Sequence, residues 1–338
     1  VEVYAFADLD PAVEKLAEEN GIPRFVDSLE KLLDCCDAVV ISTPMHLHAD
    51  QCVAALEAGK HVLSEVTAAV TVQQCEELAD AARAAKTTYS FAENYCYFEQ
   101  NIVAAEFARR GRFGELYYGE GDYVHEVRFL HHDVAGNPTW RIRWQVGNPG
   151  NTYCTHELGP LMRCFRAADP SVRIESVACF GTGVHTVPGM NHDDCTLTLV
   201  KLSNGGLLKL RLDMVSNRPH RIAYELQGTN GAFESYEEHR AWFGPNQPLP
   251  WDGSERRWQP LSELFSEIPA ELRSEMEAAG SSGHGGSDYF VGRRFAQAIM
   301  GHREVEIGID EALEWTMVGL LSQESIAKGG IALPMRYL

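Results

Sequence analysis

The chain of 338 residues is 45% apolar and 23% charged, the balance of an ordinary globular protein with room for two domains. Its formal net charge of -19 argues against a phosphate-backbone partner, and no apolar run nears the roughly 20 residues that span a bilayer. Nine cysteines, an odd count scattered through predicted helices and strands, read as reduced thiols of a cytosolic protein rather than a disulfide framework.

Val1 to Ala7 reads as a buried strand that ends on Asp8. Pro11 opens a helix to about Asn20, with proline in its first turn and Gly21 at its end. Ser28 caps a second helix to Leu33, and the strand Ala38 to Ser42 is stopped by Thr43-Pro44. His48 to Ala58 is helical and closed by Gly59, His61 to Ser64 is a strand, and a helix from about Val72 to Ala85 leads to the strand Thr88 to Ala92. Strands alternating with helices predict an α/β, doubly wound parallel sheet over residues 1–95, a Rossmann-type domain. In such a sheet the acidic residue ending the second strand holds the adenosine ribose hydroxyls, and Asp8 stands at that place. A carboxylate there favours NAD over NADP, whose 2′-phosphate it would repel; a plain helix cap or loop carboxylate is the competing reading of Asp8. The glycine-rich turn belongs about 20 residues upstream. We therefore expect that one strand–turn–helix unit of roughly 30 residues, with any export signal, precedes Val1.

Residues 96–338 predict an α+β domain, whose final segment, 310–338, is expected to pack back on the first. Glu93 ends a strand at its carboxyl end, where ligands bind in open α/β sheets, although it could also cap the segment that follows. Tyr123 and His125 alternate with Val124 in a strand and so share one face. Tyr153 and His156 are three apart, hence neighbours if helical. His156 is the favoured acid/base because imidazole titrates near neutrality, with a hydrogen-bonded structural histidine as its alternative. Arg141 beside Trp140 reads either as a binding group or as a cation stacked on an aromatic. Thr196 to Leu202, Leu207 to Met214 and Ile222 to Gln227 are strands, with Asn204-Gly205-Gly206 as a turn. Gly244 to Pro260, rich in Pro, Trp and Gly, is a candidate substrate-side loop. Gly280 to Asp288 is a flexible loop before a helix from Tyr289 to about Met300; His284 and Asp288 are candidate substrate groups, unless Ser287 or Asp288 simply caps that helix. Cys35-Cys36, His131-His132-Asp133 and His192-Asp193-Asp194 lack paired ligand spacing, and no metal is expected.

Thr43-Pro44-Met45-His46-Leu47-His48 and Glu57-Ala58-Gly59-Lys60-His61-Val62-Leu63-Ser64-Glu65 resemble the Gfo/Idh/MocA family of nicotinamide-dependent sugar oxidoreductases. The family commonly has Glu-Lys-Pro after that strand, its lysine serving in proton transfer. Here the triplet is Glu65-Val66-Thr67, and valine carries no proton. The family's later Asp and His, aligned by the glycines, read Thr155 and Gly159, with His156 beside them. The altered set resembles the NAD-dependent glycosidases of glycoside hydrolase family 109. Ser64-Glu65-Val66, Glu93-Asn94-Tyr95-Cys96-Tyr97, Gly111-Arg112-Phe113-Gly114-Glu115-Leu116, Glu120 to His125, Trp140-Arg141, Tyr153 with Thr155-His156, Leu158-Gly159-Pro160 and His284-Gly285-Gly286-Ser287-Asp288 match in order. That group commonly has Pro where Cys154 stands and Gly where Glu157 stands.

The resemblance implies a large open mixed sheet in the second domain, assembly as a homodimer or homotetramer, and a carbohydrate substrate. It implies NAD held by Asp8, Thr43, Pro44, His46, His48, Glu65, Asn94, Trp140 and Arg141, with Asn94 at the nicotinamide ribose. Catalysis would fall to His156, Tyr153, Tyr123, His125 and Glu93, with His284 and Asp288 on the sugar. The implied reaction is a redox-neutral hydrolysis: oxidation at C3, elimination of the glycosidic oxygen, hydration and reduction, in place of the paired-carboxylate route. A conventional NAD(P)-dependent sugar or inositol dehydrogenase and a non-catalytic protein on the same fold are the rival readings.

Overall fold

The computed structural model describes residues 1–247 and 257–338, so the central part of the 244–260 loop lies outside the described residues. The chain divides into two compact units. One holds 1–92, 292–313 and Leu338, and the other holds 93–291 and 314–337. The expected return at 310–338 thus differs from the observed grouping: residues 292–313 join the first unit, whereas 314–337 belong to the second.

The first unit carries five parallel strands, β1 (Ala5–Ala7), β2 (Arg24–Val26), β3 (Ala38–Ile41), β4 (His61–Ser64) and β5 (Tyr89–Phe91). Two ladders hold them, β1–β2 and β3–β4–β5. Between them run α1 (Glu14–Glu19), α2 (Leu29–Leu33), α3 (His48–Glu57) and α4 (Val72–Ala84). The sequence predicted this alternation but not β2, whose three residues are too few to show a period. Pro11–Val13 is a separate 3-10 turn rather than the start of α1, because Asp10 caps it by accepting the Ala12 N–H at 2.9 Å. Ser28 caps α2 as expected, accepting the Lys31 N–H at 3.3 Å.

Among the described residues the second unit is built on a nine-stranded sheet. In chain order its elements are α5 (Glu99–Arg109), β6 (Leu116–Val124), α6 (Trp140–Trp144), α7 (Thr155–Ala168), β7 (Ile174–Gly181), β8 (Thr196–Leu202), β9 (Leu207–Asp213), β10 (Arg221–Gly228), β11 (Gly231–Ser235), β12 (His239–Phe243) and β13 (Gln259–Pro260). There follow α8 (Leu261–Leu264), α9 (Ala270–Ala279), α10 (Ser282–Gly285), α11 (Ser287–Ile299), α12 (Ile309–Ala327) and β14 (Leu333–Pro334), with the first unit taking its share of the last two helices. The strand order is β13-β12-β11-β10-β6-β9-β8-β7-β14, with β6 and β9 parallel and the other described neighbours antiparallel.

Leu208, Leu210 and Leu212 of β9, Val200 and Leu202 of β8, and Leu226 of β10 line the buried face. Helix α7 lies on this face against β6, β9 and β10, with α5 beside it. Two glycines of β6 let it approach. A Cβ on Gly121 would stand 2.6 Å from the Glu157 carbonyl oxygen, and one on Gly119 would stand 3.3 Å from Leu161 Cδ2. Residues 119, 121, 123 and 125 share a face by the two-residue period of a strand, so the helix that the glycines admit is brought over Tyr123.

Candidate active site

The first turn of α7 is irregular for reasons written in its sequence. Pro160 has no N–H, so it cannot donate to the carbonyl four residues back, which is that of His156. The Tyr224 hydroxyl of β10 supplies that donor instead, at 2.6 Å. Gly159 is required because a Cβ there would lie 2.9 Å from Trp315, 3.0 Å from Cys96 Sγ and 3.0 Å from Glu93 Cγ. The Leu158-Gly159-Pro160 triplet therefore seats the helix start directly on Glu93 and frees the His156 backbone for an outside partner.

His156 Nδ1 lies 2.7 Å from Glu93 Oε1, and both side chains are buried. Glu93 also accepts the Tyr95 N–H at 3.1 Å, so it is both the cap of its segment and the partner of His156. A carboxylate at Nδ1 fixes the proton there and leaves Nε2 to exchange protons. Three phenols surround the imidazole. Tyr95 stacks on it at 4.0 Å between centroids, Tyr153 meets it edge-on at 4.9 Å, and Tyr123 lies at 5.0 Å. Tyr153 precedes α7 in a turn, and it is that turn rather than helical spacing that makes it a neighbour of His156. Tyr123 and Tyr95 share a hydrogen bond, and burial, first among the causes, holds both phenols well above their usual range. His125 continues the line of Tyr123, with the two rings perpendicular at 5.6 Å. The structure thus brings Glu93, Tyr123, His125, Tyr153 and His156 together.

Four further residues were not singled out from the sequence as site residues. Tyr95 and Tyr224 have just been described. Glu157, wholly buried, accepts the Asn151 Nδ2–H at 3.0 Å, while its Oε2 has no hydrogen-bond partner among the described residues. Burial, the largest cause, pushes its carboxyl well above the ordinary carboxylate range and favours the neutral acid. His220, before β10, has its Nδ1 3.1 Å from His125 Nδ1. A hint for Glu157 was available in its departure from the resemblance. For His220 only the strand pairing gives one.

The remaining candidates fall in separate places. Asn94 Nδ2 donates to Asp288 Oδ1 at 3.4 Å, and Asp288 Oδ2 lies 2.8 Å from His284 Nδ1. The 280–288 segment is a tight distorted turn: His284 has φ 44°, and a Cβ on Gly283 would strike Asp288 Oδ2 at 2.2 Å. Arg141 stacks on Trp140 at 4.5 Å and donates to Gln145 Oε1 at 2.8 Å.

In the first unit, Asp8, Thr43 with Pro44, and Glu65 follow the carboxyl ends of β1, β3 and β4, and Asp8 and Glu65 are exposed. Asp8 accepts the Asp10 N–H at 2.8 Å, which orients an exposed carboxylate at the strand end. Such an acceptor fits the ribose hydroxyls of NAD, which would donate to it. His46 is half-buried, in the turn before α3. His48 is fully buried, with Nδ1 2.8 Å from the Thr67 carbonyl and Nε2 2.6 Å from that of Thr43. Both of its ring nitrogens face backbone, so His48 fixes the two strand-end loops from behind.

Residues 97–335 match the family of glycosyl hydrolase 109 C-terminal domains, and residues 2–93 match the NAD-binding Rossmann fold of the oxidoreductase family. The glycosyl hydrolase family 109 protein of Shewanella pealeana (strain ATCC 700345 / ANG-SQ1) is 27% identical over 96% of this chain and 77% of its own length. The alpha-N-acetylgalactosaminidase of Tannerella forsythia is 29% identical over 87% of this chain and 69% of its own length. Among solved structures, a levoglucosan dehydrogenase in complex with NADH and L-sorbose superposes with a TM-score of 0.79 at 20% identity, covering 99% of this chain and 90% of that one. An NAD-binding oxidoreductase from Klebsiella pneumoniae gives 0.78 at 22%, with coverage of 99% and 90%.

Proposed function

The chain belongs to glycosyl hydrolase family 109, and from that premise we propose that it is an NAD-dependent glycosidase working by oxidation, elimination, hydration and reduction. The observation that carries this reading is the buried His156–Glu93 pair, 2.7 Å apart and enclosed by three phenols. The T. forsythia relative is named an alpha-N-acetylgalactosaminidase, which makes α-N-acetylgalactosaminides the first substrate class to test.

NAD, when bound, supplies a reversible hydride acceptor for a sugar carbon, so no reduced cofactor accumulates over a cycle. The carboxylate of Asp8 would hold its adenosine ribose, with Thr43, Pro44 and Glu65 at the neighbouring strand ends. By the resemblance, Asn94, Trp140 and Arg141 are further candidate cofactor groups. His156 exchanges protons at Nε2, because Glu93 occupies Nδ1. Burial disfavours the phenolate of Tyr123, so this residue acts as a neutral donor that orients substrate oxygens and leaves the base work to His156. Tyr153 and His125 flank it, and the Asn94–Asp288–His284 cluster offers a second set of groups for sugar hydroxyls. Val66 stands where the resembling dehydrogenases carry their proton-transfer lysine, and it is buried.

The test is a panel of 4-nitrophenyl α- and β-glycosides with NAD-loaded protein. Nitrophenol release without net NADH is expected, and His156→Ala should lower kcat by about 10²–10⁴-fold. Stoichiometric NADH from free sugars with no glycoside cleavage would make the protein a dehydrogenase and sink the reading.

A further inference from the structure

His125 and His220 come from elements far apart in sequence. In the antiparallel β6–β10 ladder Val124 stands opposite Arg221, so the next pair outward is His125 and His220. His125 is tied down by its own N–H, which donates to the Asp213 carbonyl at 2.8 Å. The two imidazoles are perpendicular with centroids 4.7 Å apart, and their Nδ1 atoms are 3.1 Å apart. A nitrogen–nitrogen contact at that distance needs one Nδ1–H as donor and one bare Nδ1 as acceptor, so the rings share one proton. Each ring then has its Nε2 directed away from the other. His125 is half-buried and edge-on to Tyr123 at 5.6 Å, whereas His220 is exposed. One end of the pair therefore touches the catalytic cluster and the other touches water.

We propose that His125 and His220 form a proton conduit between the buried Tyr123–His156 cluster and solvent. It rests on the glycosidase reading, in which the sugar hydroxyl gives up a proton as it is oxidised and takes one back on reduction, while the proton removed in elimination goes to the leaving oxygen. In the outward direction a proton binds His125 Nε2, the Nδ1–H of His125 passes to His220 Nδ1, and the Nε2–H of His220 leaves to water or buffer. One proton has crossed, no other bond has changed, and the two rings have exchanged tautomers. The inward passage during reduction restores the first arrangement. His156 of α7, Arg141 of α6, Glu126 beside it in the chain, and His220 all face His125. Burial, followed by the three basic neighbours, holds His125 below the usual histidine range, and burial does the same for His220. Both rings are thus neutral at pH 7 and ready to accept a proton.

His220→Ala tests this with NAD-loaded protein and 4-nitrophenyl N-acetyl-α-galactosaminide. In dilute non-transferring buffer kcat should fall about 10- to 100-fold with KM unchanged, and added imidazole should restore it. A variant equal to wild type at every buffer concentration, or a loss that imidazole does not relieve, overturns the proposal. A second readout is independent of turnover: nitrogen-15 NMR of the imidazoles, in which His220→Gln should raise the pKa of His125 by removing its nearest basic neighbour. A wild-type protein that cleaves no glycoside refutes the function reading alone, and the NMR titration then decides the pair. An unchanged His125 titration overturns it.

Discussion

Glu157→Gln isolates a buried acid whose effect on stability has a calculable slope. The side chain is wholly buried, Asn151 donates to one oxygen, and the other has no partner among the described residues. Burial first, and then the nearby Glu93 and Asp122 carboxylates, raise its pKa far above the ordinary 4.5. In the unfolded chain the same group ionises near its ordinary value. A folded pKa above the unfolded one gives a contribution that is complete below about pH 4.5 and is lost as pH rises toward the folded value. Between those limits the unfolded state has released one proton that the folded state keeps. Wild-type stability should therefore fall by about 1.4 kcal/mol per pH unit from this group. Glutamine keeps the shape and an acceptor for Asn151 but cannot ionise. Urea unfolding over a pH series rising from about 4.5 should show the variant gaining on wild type, by at most about 1.4 kcal/mol per pH unit. Stability curves that run parallel would refute the claim that burial raises the Glu157 pKa.

Tyr224→Phe removes the hydroxyl that replaces the N–H missing at Pro160, and the unsatisfied His156 carbonyl should cost about 1–3 kcal/mol in urea unfolding. An unshifted midpoint would mean the carbonyl finds another donor. Gly121→Ala places a methyl 2.6 Å from the Glu157 carbonyl oxygen and should push α7 off β6. The expected cost is about 1–3 kcal/mol together with a fall in kcat; wild-type kinetics would show that the close approach does not position His156. Asp8→Asn exchanges a charge-assisted ribose contact for a neutral one and should weaken NAD by about 10-fold, read by fluorescence titration; an unchanged Kd would remove Asp8 from the cofactor site.

Local chemistry was legible in the sequence wherever the cause is local. Ser28 caps α2 through a hydroxyl three residues from its target, and the parallel strands announced themselves by alternating with helices. Tyr123 and His125 were read onto one face from the strand period, and the two lie edge-on at 5.6 Å. His156 stood out because only an imidazole in that motif titrates near neutrality. β2 was missed because three residues carry no periodic signal.

The rest required distant segments to meet. Glu93 and His156 are 63 positions apart, and nothing local to either predicts a 2.7 Å contact; it follows from Gly159 lying on Glu93 and from Gly121 admitting α7. His220 reaches His125 across 95 positions because β6 chooses β10 as its antiparallel neighbour. Sequence by itself determined most element types, the cofactor-type fold and most of the candidate catalytic side chains, because propensity, capping and residue chemistry act over a few residues. Tertiary structure alone decided which carboxylate partners His156 and which is buried with its pKa raised, because desolvation and hydrogen bonding depend on what the fold packs around each group.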